Sequence, residues 1–150
     1  MKNSFFHWIA TLGPIGHSKI APGSLGSLAA LVLVLLIGHN PPLFLFSSCA
    51  LVLIAVWAST VTAADLGEKD PASVVIDEVC GIMVSFLFLP ITWRTLILGF
   101  LGFRFFDIVK PPPIRQMEFL PKGFGIVLDD VVAGIYTNLI LQLLVRYAHL

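Results

Sequence analysis

Charge is scarce in this sequence. Of its 150 residues, 12% are Asp, Glu, Lys or Arg, and the nine acidic residues cancel the nine basic ones. A soluble domain carries about twice that share of charge. The chain is instead 57% hydrophobic, with a mean hydropathy of +0.95, a composition suited to a single membrane domain over residues 1–150. Basic runs and basic–aromatic interleaving are absent, which argues against a nucleic-acid partner. Cysteine is nearly absent too. Cys49 and Cys80 lie in separate apolar segments with no CxxC or Cys/His spacing, so both read as small packing residues rather than as a disulfide or zinc site. His7, His17, His39 and His149 are scattered in or near loops and read as interfacial or incidental. Trp8, Trp57 and Trp93 read as packing or interfacial anchors. No cleavable leader is expected, because polar residues interrupt the stretch "NSFFHWIATLGPIGHSK" after Lys2.

Long apolar runs are what the chain does have. Five segments approach membrane length: about Leu25 to Gly38, Leu43 to Ala64, Ser73 to Pro90, Thr92 to Val109 and Ile126 to Tyr147. The expected fold is therefore all-α, an integral membrane bundle of about five short spans. "SFFHWIATLG" would lie along the interface as a small amphipathic helix. If the spans alternate, Lys2, Lys19, Lys69, Lys110, Arg115 and Lys122 share one side, against Arg94 and Arg146 on the other. That asymmetry puts the first side in the cytoplasm.

The few charges inside or bordering these segments gather at that same level. Asp77 and Glu78 open the third span, Arg104 and Asp107 close the fourth, and Asp129 and Asp130 open the fifth. A carboxylate near mid-bilayer costs about 2.5–3.5 kcal/mol on insertion scales. Five carboxylates therefore need compensation, and Arg104 and Lys110 supply only part of it. Adjacent carboxylates, about 100° apart on a helix, can meet one cation between them. Oxygen ligands without nearby histidine or thiolate suit Mg²⁺ or Mn²⁺. The structural alternatives are an Asp107–Arg104 pair that only stabilises, and acidic residues that only offset a helix dipole. Two acidic pairs and an Arg104/Asp107/Lys110 ladder on one side favour a functional site over both. In "APGSLGS" (Ala21 to Ser27), Pro22, Gly23, Ser24, Gly26 and Ser27 open a helix whose N–H groups can receive an anion, although glycines also serve close helix packing. "KPPPIR" stops a helix between two cations, Lys110 and Arg115. They either anchor the chain to the membrane surface or clamp an anionic headgroup.

Taken together, "APGSLGS", "DPASVVIDEVCG", "FRFFDIVKPPPIR" and "GFGIVLDDVVAG" resemble the phosphatidylglycerophosphatase A family of bacterial membrane lipid phosphatases, in order, from about Gly13 to Gly134. The resemblance implies Mg²⁺-dependent removal of the terminal phosphate from phosphatidylglycerophosphate, giving phosphatidylglycerol, at the bacterial cytoplasmic (inner) membrane. It places the family's acidic pair on Asp77 and Glu78, its Arg-x-x-Asp-x-x-Lys-Pro block on Arg104, Asp107, Lys110 and Pro111, and its Asp-Asp-x-x-Ala-Gly block on Asp129, Asp130, Ala133 and Gly134. Ser24 stands where the family has threonine, which keeps a hydroxyl. Lys122 stands where the family often has glycine, and Lys19 lies in a stretch that is usually less charged.

The expected chemistry is metal-assisted phosphomonoester hydrolysis. Asp77, Glu78, Asp107, Asp129 and Asp130 are the candidate metal and catalytic carboxylates, and Arg104 the candidate charge stabiliser. Lys110, Arg115 and the Pro22–Ser27 segment are the candidate substrate contacts. A cysteine nucleophile is not expected, since neither cysteine has an arginine six residues on. Two rival readings are a Mg²⁺-dependent membrane transferase acting on an activated lipid and, less favoured, a cation transporter. The first lacks its Asp-x-x-x-Asp spacing, and the second lacks carboxylates at mid-membrane or beyond.

Overall fold

A computed structural model of the protein describes residues 4–148; Lys2 and His149 lie outside the described residues. All regular structure among the described residues is helical: α1 (Ser4–Ala10), a 3-10 turn (Ile15–His17), α2 (Pro22–Ile37), α3 (Pro41–Leu66), α4 (Ile76–Ser85), α5 (Trp93–Val109), α6 (Ile114–Met117) and α7 (Gly123–Ala148).

Local chemistry sets the helix ends. Asn40 caps α3 through its side chain, which accepts from the Leu43 N–H at 3.2 Å, and Pro41 and Pro42 fill the first turn, where no N–H is needed. Gly67, at φ +69°, stops α3 in the left-handed conformation. Thr92 and Thr95 form a reciprocal capping box at the start of α5. The far end of α5 stops at Lys110, left-handed at φ +47°, immediately before Pro111. The first N–H of α7, from Gly123, is donated to Thr60 Oγ1 of α3 at 2.9 Å. A Cβ on Gly123 would collide with the Val56 carbonyl, so only glycine lets α7 begin this close to α3.

Four expected segments match helices to within a few residues. The third does not. In place of a span over Ser73 to Pro90 stands α4, whose 10 residues rise about 15 Å, half of a hydrocarbon core. Its apolar surface is explained by neighbours rather than lipid: Ile76, Val79, Cys80, Ile82, Met83 and Ser85 are all buried, with α7, α2, α3 and α5 packed around them. Turns follow α4 at residues 86–88. Their backbone carbonyls need partners in an apolar setting, and Asn138 of α7 provides two bonds, donating to Ser85 O at 3.0 Å and Leu87 O at 2.9 Å. A hydrophobic run buried on every side cannot be told from a lipid-facing run by composition.

Two helices, α3 and α7, are long and apolar enough to cross a membrane. In the most apolar window of α3 only 28% of the residues are buried, against 56% for α7, so α3 presents most of its surface outward. Leu36, Phe46, Leu53 and Ile108 are each at least 70% exposed. Trp8, Trp57 and Trp93 also face outward, Trp57 stacked on Phe6. Cys80 is a buried packing residue as expected, but Cys49 is exposed on the outer side of α3. His7 and His17 are not scattered: their Nε2 atoms meet at 3.3 Å, joining α1 to the 3-10 turn.

Candidate active site

The acidic residues converge because α4 and α7 cross at glycine. A Cβ on Gly134 would strike the carbonyl oxygen of Gly81, and one on Gly81 would strike the Phe103 ring and come within 2.8 Å of the Asp130 carbonyl. With both side chains reduced to hydrogen the two backbones touch, and the carboxylates of "DE" and "DD" are drawn into one space. One oxygen from each of Asp77, Glu78 and Asp130 lies within 4.8 Å of the other two.

Asp129 and Asp130 sit deeper than expected. Helix α7 starts at Gly123, so the pair lies beyond its first turn, which holds no acidic residue. The dipole of a helix N-terminus therefore does not account for them. Asp129 is 5% exposed and Asp130 3%. Asp77 and Glu78 do occupy the first turn of α4. Arg104 lies one turn before the end of α5 and pairs with Asp107 at 2.7 Å, the i,i+3 contact anticipated. Asp107 adds its charge to the fields felt by Glu78 and Asp130.

Lys110 leaves the α5 ladder. Its Nζ donates to Asp129 Oδ2 at 2.7 Å and to Glu118 Oε1 at 2.6 Å. Burial alone would disfavour its charge, but the hydrogen bonds it donates to Asp129 and Glu118 outweigh that and hold its pKa above the ordinary lysine range. Glu118 is the site residue that sequence reasoning missed. It stands eight residues past Lys110, beyond three prolines and the short α6, and no spacing rule connects the two.

The start of α2 reaches the cluster. Gly23 packs so closely that a Cβ there would collide with Glu78 Oε1 and stand 3.4 Å from Arg104 Nη1. Pro22 is the first residue of α2, and Ser24 lies half-buried in the first turn. The remaining members of this segment face inward. Gly26 packs on Val75, and Ser27, fully buried, donates its hydroxyl to Gly23 O at 2.9 Å. Arg115 is exposed on α6 and forms no ion pair among the described residues.

Three buried carboxylate oxygens, Asp77 Oδ1, Glu78 Oε2 and Asp129 Oδ1, have no hydrogen-bond partner among the described residues. Buried acceptors left unpaired are costly. A converging, oxygen-only set with open lone pairs fits a hard divalent cation such as Mg²⁺, and Asp77, Glu78 and Asp130 are the residues spaced to hold it.

Comparison with known proteins shows the family. The family model for phosphatidylglycerophosphatase A matches residues 8–145. The chain belongs to the phosphatidylglycerophosphatase A family. It is 40% identical over 124 residues to the phosphatidylglycerophosphatase A of Haemophilus influenzae, covering 80% of this chain and 76% of that protein. It is 36% identical over 133 residues to the phosphatidylglycerophosphatase A of Escherichia coli K12, covering 87% and 77%. It is also 36% identical over 135 residues, 84% of each chain, to a Bacteroides thetaiotaomicron protein provisionally named a phosphatidylinositol-3-phosphatase. No solved structure gives a significant match. All four blocks that carry the resemblance fall inside the matched range, and so does Glu118.

Proposed function

We propose that the protein hydrolyses the terminal phosphomonoester of phosphatidylglycerophosphate, releasing inorganic phosphate and phosphatidylglycerol, with Mg²⁺ held by Asp77, Glu78 and Asp130. The observation that carries this reading is the approach of those three carboxylates to within 4.8 Å, with buried oxygens of Asp77 and Glu78 left unpaired. When bound, Mg²⁺ supplies charge neutralisation at the phosphoryl oxygens and lowers the pKa of attacking water. Arg104, beside Gly23, and Lys110 stabilise negative charge on the transferring group. Asp129 stands outside the triad, held by Lys110 through Oδ2. Its unpaired Oδ1 is the acceptor for the proton of the attacking water.

The lipid tails would remain in the bilayer while the headgroup reaches the end of the bundle where α2, α4, α5 and α7 converge. Five passes with this end toward the cytoplasm of the bacterial inner membrane are supported by the lysine and arginine asymmetry and by the outward apolar side chains of α2, α3, α5 and α7. The family match favours neither the transferase nor the transporter.

The test is phosphate release from phosphatidylglycerophosphate in detergent micelles, with Mg²⁺ and with excess chelator, using phosphatidylinositol-3-phosphate as the competing substrate. Release from phosphatidylglycerophosphate that stops on chelation is expected. Preference for the inositol lipid would reassign the substrate, and release indifferent to chelator would remove the metal.

A further inference from the structure

We propose that Glu118 is a positioning residue for the phosphatase reaction: together with Asp129 it clamps the Lys110 ammonium and fixes the direction of the one N–H left for a phosphoryl oxygen. The inference rests on the phosphomonoesterase reading above and assigns a residue that neither the motifs nor the metal triad contain.

An ammonium has three N–H donors. Two are committed, to Glu118 Oε1 at 2.6 Å and to Asp129 Oδ2 at 2.7 Å. Once two bonds of a tetrahedral nitrogen are fixed, the third has one direction. With Asp129 as sole partner, the flexible lysine stem would leave two N–H groups free to sweep. A donor aimed in advance at developing charge needs no reorganisation during the reaction.

The return of Glu118 toward Lys110 is built into the fold. Ile114 of α6 is fully buried, and Tyr136 of α7 donates its hydroxyl to Pro112 O at 2.9 Å. Both contacts dock the Pro111–Glu118 segment on the bundle. The Glu118 side chain is 39% exposed and lines a cavity of about 170 Å³ with Lys69, Asp70 and Lys122. It stands between that open cavity and the buried Asp129. An exposed ion pair is ordinarily of little consequence, because both partners wander. Here the lysine is tied at the same time to a carboxylate that is 5% exposed, so the pair has a fixed frame.

The test uses the full-length protein in detergent. Replacing Glu118 by Ala should lower kcat about tenfold with KM and Mn²⁺ affinity, read by electron paramagnetic resonance, unchanged. Glu118→Gln, which keeps a neutral acceptor, should fall between that variant and wild type. In a Lys110→Ala background the Glu118→Ala change should have no further effect on kcat, because its partner has gone. A second, independent drop in the double variant would overturn the proposal, as would unchanged kcat in Glu118→Ala. A separate readout does not depend on turnover. Acetylation of Lys110 by an N-hydroxysuccinimide ester, followed by mass spectrometry, should rise several-fold in Glu118→Ala relative to Lys69 and Lys122 of the same molecules. Unchanged labelling would mean that there is no clamp. If wild-type protein released no phosphate, the phosphatase reading would fall, and the labelling would still decide the clamp.

Discussion

Gly134 of α7 lies directly against the carbonyl oxygen of Gly81 in α4, with no room for a side chain on either residue. This contact sets the distance between the two carboxylate pairs. Gly134→Val should therefore force the helices apart. Overpacking of this kind costs about 1–3 kcal/mol, and here it should also abolish Mn²⁺ binding by separating Asp130 from Asp77 and Glu78. Thermal denaturation and Mn²⁺ titration by electron paramagnetic resonance check the two effects on one sample.

Gly23→Ala should behave differently. The added methyl meets the far end of the Glu78 side chain rather than backbone, so the side chain can move and the fold can stand. Stability should change by less than about 0.5 kcal/mol. Cation affinity should fall about tenfold, as when a group supporting a metal ligand is disturbed. Equal losses in stability and affinity would disprove the account of Gly23.

Asp130→Asn and Asp129→Asn should separate the two roles assigned to adjacent carboxylates. Losing Asp130 removes one of three converging ligands, so Mn²⁺ affinity should drop by about 10- to 100-fold. Losing Asp129 should leave cation affinity near wild type while phosphate release falls by about 10²- to 10⁴-fold, the usual contribution of a general base. The reverse pattern would move Asp129 into the metal set.

Asn138→Leu tests the break after α4. It leaves the Ser85 and Leu87 carbonyls without the amide that they share. Unfolding should become easier by about 2 kcal/mol. Because Asn138 lies two turns past Asp130 on α7, kcat of the folded fraction should hold. Denaturant titration paired with an activity assay measures both.

The polar end of the bundle was legible in the sequence because charge is so rare in an apolar chain that each carboxylate stands out. The Arg104–Asp107 contact follows from helical spacing alone, and the apolar runs place α3 and α5 to within a few residues. The shortness of α4 was not legible. A buried helix and a lipid-facing helix are equally apolar, and what distinguishes them is the ring of neighbours around "IDEVCGIMVS". The depth of Asp129 and Asp130 was not legible either, because the apolar run opens only at Ile126, past the glycines of "GFG". Gly123 and Gly125 instead begin the helix, where glycine permits contact with α3 and with the Leu120 carbonyl. Glu118 left no trace, since its partnership with Lys110 depends on how the three prolines and α6 turn the chain back.

Enclosure of α4 has a consequence for how the protein meets its membrane. The helix that carries Asp77 and Glu78 has almost no outward surface, while α3 exposes most of its length. Thinning or thickening of a bilayer acts on the segments that touch acyl chains, which can tilt to follow it. Those segments form a jacket around α4, and the carboxylates are indexed to the crossing of Gly81 with Gly134 rather than to the depth of the hydrocarbon. In a bilayer the site would thus be mechanically insulated, and lipids of differing chain length would alter how the molecule sits without altering the spacing of these carboxylates.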